Sequence, residues 1–448
     1  MNAFHDKYRA LRRTVRAGAL ALAVVPAAAG TLAAQDATIY VLRGGTVHTL
    51  AGPDLENGTV VLERGRIVAV GANVPVPEGA QVVDVTGLHV YPGLFDAMTQ
   101  LGLTEIGQVP VTVDSREMGR FNPHLMAYTA IHPASELIPV ARANGITHAV
   151  SAPQGSSGGI AGQAALVHTA GWTVEEMAIE PSVGMILEWP SIQTRRFNRQ
   201  TFTVEERNFR EAREEYEEQL ETLRTWFDDA RHELQVLAAG GSPQHRDLKL
   251  EALARVMDGD LPLIVIANGE RDIRNAVEWA EALGVRFILA GGRGAWKVAD
   301  FLAEHDVPVI LSAVQSMPTG EDESYDEAYA NPGKLYAAGV RFAIATFNAS
   351  SSRNLPYEAA TAVPFGLPRD EALRAITLRP AEILGVADRL GTIEPGKIGN
   401  LMVTDGDPLE IQTQVVRLFI DGRPASLDNK HLRLYERYRA RPKAGGER

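Results

Sequence analysis

Eleven histidines and no cysteine bound the metal and nucleophile chemistry open to this 448-residue chain. Without cysteine there is no thiolate zinc site, no thiol nucleophile and no disulfide. The histidines at 48, 89, 124, 132, 148, 168, 232, 245, 305 and 431 include no His-x-His or His-x-x-x-His pair, the spacings that set two imidazoles on one strand face or one helix face. His124 and His132 bracket a loop, and His148 and His168 fall on predicted strands; the rest read as packed or solvated residues. Five carboxylates, Asp96, Asp114, Glu117, Glu188 and Glu270, stand near strand ends or loops, where any two brought together can do acid–base work. Arg293 and the Arg353-Asn354 pair carry donors suited to a carboxylate, although a loop-pinning salt bridge is the plainer role. The glycine-rich run Gln154 to Gly162 lacks the Gly-Lys-Ser/Thr ending of a phosphate loop, and reads as a mobile loop over a barrel mouth. No Gly-x-Ser-x-Gly elbow supports a serine hydrolase.

The elements that must position these groups are short apolar runs alternating with helical stretches, the pattern of repeated βα units and a parallel barrel. Eight candidate strands fall at 88–96, 146–152, 164–168, 183–188, 261–267, 285–291, 307–313 and 340–346, the number that a closed barrel needs. Active residues of such a barrel project from the C-terminal strand ends, so His148 and His168 are expected to face its mouth. Both ends of the chain are β-rich and turn-punctuated: Thr38–Leu42, Val60–Leu62 and Ile67–Val70 early, Leu401–Thr404 and Val415–Ile420 late. Residues 203–238 read as a long Glu- and Arg-rich helical insertion opened by a Thr203-x-x-Glu206 capping box, with a stripe of Phe209, Tyr216, Leu220, Leu223, Phe227 and Leu234. That stripe packs on the barrel or serves as a dimerisation arm.

Residues 91–100 read Tyr-Pro-Gly-Leu-Phe-Asp-Ala-Met-Thr-Gln, and residues 377–385 contain Thr-x-x-Pro-Ala-x-x-Leu-Gly. Together with the two β-rich ends, these runs resemble the amidohydrolase superfamily, in particular its imidazolonepropionase-like group. The resemblance implies an α/β fold: a (β/α)8 TIM-like barrel over 91–385, and a small composite β-sandwich built from both chain ends, 35–90 and 386–430. It also implies hydrolysis of non-peptide carbon–nitrogen bonds, in cyclic amides or related compounds, by zinc-activated water. At the positions matching the family's metal ligands, however, this sequence has Met98 and Gln100 for two histidines, Ile186 for a lysine, Ile266 and Ala290 for two further histidines, and Asn348 for an aspartate. Thioether, carboxamide and aliphatic side chains are poor zinc ligands, so no cofactor is expected.

Residues 1–34 have a basic start, an apolar run from Ala17 to Gly30 and small residues at Ala33 and Ala34, the layout of a cleaved export signal. A periplasmic or extracellular location is the expectation. Removing that segment's five bases and one acid leaves 39 basic and 55 acidic residues, a surface that repels nucleic acid and anionic lipid. Three readings follow. One is a divergent hydrolase with a site rebuilt around Asp96, His124, His132, His148 and Glu188. Another is a pseudoenzyme that binds a small ligand through Gln100, Asn268, Arg293 and Asn348. The last is a non-catalytic partner, in a homo-oligomer or with an active sister amidohydrolase.

Overall fold

At Gly93 the chain passes from one sheet into another, and the predicted strand 88–96 divides there into His89–Pro92 and Leu94–Thr99. A side chain has no room at this junction, because a Cβ would lie 2.1 Å from Thr147 Oγ1 and 2.3 Å from its Cγ2. The computed structural model describes residues 38–198, 203–240, 246–318 and 323–441; residues 1–34, the expected export signal, and His245 lie outside them.

Eight strands form the barrel in chain order: Leu94–Thr99, Ile146–Ser151, Gly159–His168, Ala178–Glu188, Leu263–Ala267, Phe287–Gly291, Val309–Leu311 and Phe342–Ile344. All eight expected strands are present, but the sheet is not all parallel. The third strand runs antiparallel to both neighbours, with His148 opposite His168 on one side and Gly159 opposite Glu188 on the other. The connection explains it. Seven residues separate Ser151 from Gly159, whereas a parallel crossover needs a dozen or more. The glycine-rich run is therefore a hairpin turn and the start of the third strand rather than a free loop, and Gly158 takes the left-handed φ of +70° that the turn requires.

The first and last strands meet at a seam. Ala375 and Ile376 supply carbonyl oxygens to Ile344 N–H and Phe95 N–H, both at 2.9 Å, and so fill the lower half of the gap. Higher up, Phe347 N–H donates to Met98 O at 2.8 Å, and the Asp96 carboxylate accepts from Thr346 N–H at 3.1 Å and Thr346 Oγ1 at 2.6 Å. Inside the closed sheet lies an apolar cluster that includes Phe95, Met98, Val150, Leu166, Ile186, Ile264, Ile288 and Ile310.

The second sheet contains strands from both ends of the chain. His89–Pro92 pairs with Leu401–Thr404, which joins the N-terminal strands Tyr40–Val47, Leu55–Glu63 and Arg66–Gly71 to Val415–Ile420 and Arg423–Ala425. Leu42, Val60, Leu62, Ile67, Val403 and Phe419 fill its separate core.

The long insertion differs from its expected form. Thr203–Glu206 is a strand paired antiparallel with Arg195–Asn198, and the helix runs from Phe209 to Ala238. Thr203 and Val204 are β-branched and favour the strand, while Asn208 Oδ1 accepts Arg210 N–H at 2.8 Å and takes over the cap. The helix lies on the barrel: Leu223, Phe227 and Ala230 are fully buried, and the Phe227 ring meets Trp279 edge-on at 5.1 Å. Phe209, by contrast, is exposed.

Gly93→Ala is expected to cost about 1–3 kcal/mol, since neither Thr147 nor the backbone can give way without disturbing buried strands. Urea denaturation of the purified variant measures this, and a loss near zero would show that the junction has slack.

Candidate ligand site at the barrel mouth

Of the six positions that the resemblance assigns to metal ligands, Met98, Ile186, Ile266 and Ala290 are built into the barrel packing, while Gln100 and Asn348 lie above it. Met98 is 1% exposed, Ile186 and Ala290 are fully buried, and all three belong to the interior cluster. Ile266 and Phe347 are partly buried and pack against the same cluster. Among the described residues no three His, Asp or Glu side chains converge to hold a metal ion. A divalent cation here would meet methyl, methylene and thioether groups, which neither neutralise nor coordinate it. The residues present do not fit a zinc centre of the kind the resemblance implies.

Directly above the seam, on the C-terminal side of the strands, the surface opens into a cleft of about 660 Å³. Gln100, just beyond the first strand, and Asn348, just beyond the eighth, both line it, together with Glu105, Arg116 and Gln154. Gln100 is only 8% exposed, yet its carboxamide has no partner among the described residues. Its neighbours are held in place. Gln154 Oε1 accepts from Arg116 Nε at 3.1 Å, and Glu105 accepts from Ser135 Oγ at 2.5 Å and Glu136 N–H at 3.2 Å. Asn348 Oδ1 is taken up by Ser350 N–H, Ser350 Oγ and Ser351 N–H, which orients the amide. Burial raises the carboxyl pKa of Glu188, while the Gly155 N–H and the Arg116 charge pull it back.

The other expected site residues do not assemble here. Asn268 Oδ1 accepts Arg293 N–H at 3.4 Å, and Arg293 lines a different, smaller cavity with Trp296 and Asn331. The four ligand-binding candidates are therefore split, with Gln100 and Asn348 in the mouth cleft and Asn268 and Arg293 outside it. His132 is exposed; His124 is half-buried, with an unpartnered Nδ1. Asp96 is fully buried in the seam, and desolvation raises its pKa to about 6 against the pull of the Thr346 hydrogen bonds. Glu117 Oε1 accepts Met118 N–H, and Glu270 lies 3.7 Å from Arg274 in the first turn of helix Glu270–Leu283.

His148 and His168 do not face the mouth. Because the third strand is reversed, its C-terminal end lies at the bottom of the barrel, beside the second sheet. There Asn400 Oδ1 accepts Asp421 N–H at 2.9 Å, which turns its Nδ2 toward both imidazoles, 3.3 Å from each Nδ1. An amide NH2 only donates, so His168 Nδ1 accepts and its neutral ring carries the proton on Nε2. His148 Nδ1 also lies 2.7 Å from Thr147 Oγ1, a hydroxyl able to donate or accept, and its buried Nε2 has no partner among the described residues, with the Phe95 ring 4.3 Å away. Burial lowers the pKa of both rings, His168 to about 4.

Arg116, Gln154 and Glu105 were not singled out from the sequence. The glycine-rich run was the available signal for Gln154, since a tight hairpin at a strand end must aim its flanking side chains at the rim.

The amidohydrolase family model matches residues 183–427, and the chain belongs to that family. It is 25% identical over 420 residues to amidohydrolase tasK of Hapsidospora irregularis, covering 84% of this chain but only 41% of that protein. A shorter match, 42% identical over 73 residues, links it to the N-substituted formamide deformylase of Arthrobacter pascens, covering 15% of this chain and 12% of that one. The chain thus spans less than half the length of either curated relative. Among solved structures, an amidohydrolase from Thermotoga maritima superposes with a TM-score of 0.75 at 25% identity, covering 86% of this chain and 99% of that one.

Two buried groups give opposite pH trends over the same range. The native state disfavours charging His168, so stability is full above about pH 6.5 and falls as pH drops toward 4, by about 3 kcal/mol. The native state favours protonated Asp96, so its cost applies above about pH 6 and is relieved by a similar amount as pH drops toward 4. Asp96→Asn should therefore steepen the acid loss of stability, and His168→Gln should flatten it. Urea midpoints at pH 7 and pH 4.5 measure both slopes; a change of the same sign in both variants would refute this assignment.

Proposed function

We propose that this amidohydrolase-family protein binds a small polar ligand at its barrel mouth and does not hydrolyse it through a resident metal. The observation that carries this reading is Gln100. The residue is largely buried, yet its carboxamide lines the cleft and makes no hydrogen bond among the described residues, so a donor and an acceptor held by packing are open to a ligand that carries both. Such a ligand is an amide or a related group, read by the Gln100 and Asn348 amides, with any negative charge turned toward Arg116. The apolar replacement of the metal positions supports binding without hydrolysis, because nothing at those positions acidifies a water. If the leading segment directs export, the ligand is met in the periplasm or outside the cell.

A metal-free hydrolase is the second reading, and Glu188 favours it: a carboxyl of raised pKa close to the cleft is a serviceable general base. The remaining members of a rebuilt site, Asp96, His124, His132 and His148, are spread between the seam, the rim and the barrel bottom.

The test is a thermal-shift screen with cyclic amides (hydantoin, succinimide) and N-acyl amino acids, alongside assays for amine and acid release. The expected result is stabilisation by at least one compound without turnover, with the shift abolished in Gln100→Ala. Elemental analysis after incubation with excess zinc and dialysis should find less than about a tenth of an ion per chain, and EDTA should leave Tm unchanged. One or two tightly held ions with turnover would overturn the proposal.

A further inference from the structure

A second cleft, of about 380 Å³, lies on the flank of the barrel between the turn after the eighth strand, Val415 and the C-terminal helix Lys430–Arg439. Its charge is unusual for this protein. The whole chain has 56 acidic residues against 44 basic ones, yet no described residue lining this cleft is acidic, while Arg353 and His431 both line it.

Arg353 is half-buried, and its guanidinium has no ion-pair or hydrogen-bond partner among the described residues. Elsewhere in the fold arginines find acids readily: Arg369 reaches Asp407 and Glu410, and Arg379 reaches Glu371 and Glu382. The surroundings of Arg353 are set by neighbours rather than by a counter-ion. Asn144 Nδ2 donates to Arg353 O at 2.5 Å, and Asn144 Oδ1 accepts from the Tyr357 hydroxyl at 3.4 Å. The backbone of the turn is thus fixed while five guanidinium N–H donors stay unused. The Asn354 amide and the His431 ring, which also line the cleft, make no side-chain hydrogen bonds of their own. Leu427 and Leu432 supply an apolar wall.

We infer that this cleft binds a carboxylate attached to an apolar body. The Arg353 fork pairs with the two carboxylate oxygens, Asn354 and His431 donate at its edges, and the leucines cover the hydrocarbon. A carboxylate also answers the charge balance, since it provides the anion that the lining lacks. The source is a free organic acid or the C-terminus of a peptide with an apolar last residue; the recognition chemistry is the same.

The test is isothermal titration of the full chain with sodium hexanoate, hexanamide and N-acetyl-Ala-Leu, the last with either a free or an amidated C-terminus. The expected result is saturable binding of at least one carboxylate, with its amide about ten-fold weaker. Arg353→Gln should weaken that binding about ten-fold and Arg353→Lys by less, because lysine keeps the charge and loses the fork. Gln100→Ala, in the mouth cleft, should leave it unchanged, so this inference and the mouth proposal fail separately. The Arg353 guanidinium has no protein partner to lose, so both Arg353 variants should keep the wild-type Tm; Asn354→Ala provides an independent variant. Equal binding of acid and amide, no carboxylate binding, or full binding by Arg353→Gln would overturn the inference.

Discussion

A sheet that closes on itself must mend the gap between its first and last strands, and here much depends on how that is done. The lower part of the gap is filled by the carbonyls of Ala375 and Ile376; the upper part is held by Asp96 on Thr346 and by Phe347 on Met98. A carboxylate removed entirely from water is costly, and the hydrogen bonds it accepts in the seam offset part of that cost. Because Gln100 follows the first strand and Asn348 lies just past the seam contacts of Thr346 and Phe347, closing the seam also sets the spacing of the two amides that line the mouth. Fold closure and ligand geometry are one constraint.

At three positions that the family resemblance assigns to metal ligands, the barrel is filled by apolar side chains. Coordinating side chains must keep lone pairs directed at a cation and away from apolar neighbours. Met98, Ile186 and Ala290 have the opposite requirement and fill the interior, so the strands at this level are held by packing. The polar groups of the mouth stand above this level, with Arg116, Gln154 and Asn348 on the loops, and the core beneath them is continuous.

Much of this was legible in the sequence, for physical reasons. Buried strands leave apolar runs bounded by turn residues, so the eight barrel strands are legible in the sequence, while the joining of the two chain ends in one sheet is what the family resemblance implies. The direction of the third strand was not legible from those runs, since an antiparallel strand buried on both faces has the same composition as a parallel one. The short connection from Ser151 to Gly159 holds that information. His168 lies at the barrel bottom because its strand is reversed, whereas His148 lies there because it falls near the start of a parallel strand, opposite Phe95. Gln100 and Asn348 could be placed because they follow strand ends, whereas Arg293 could not, because its backbone is tied to Asn268. At Thr203 a local capping pattern lost to strand pairing with Arg195–Asn198, a partner that no short window reveals.

The reversal of the third strand has a kinetic side. Residues 146–188 form three consecutive strands joined by two short connections, so their ladders link near neighbours along the chain. The rest of the barrel needs crossovers through helices, and its seam needs residue 96 to find residue 346. Closing small loops costs less entropy than closing large ones, and local contacts form first. The meander is thus a low-contact-order island within a high-contact-order barrel, a platform on which the flanking parallel strands can assemble before the ring shuts.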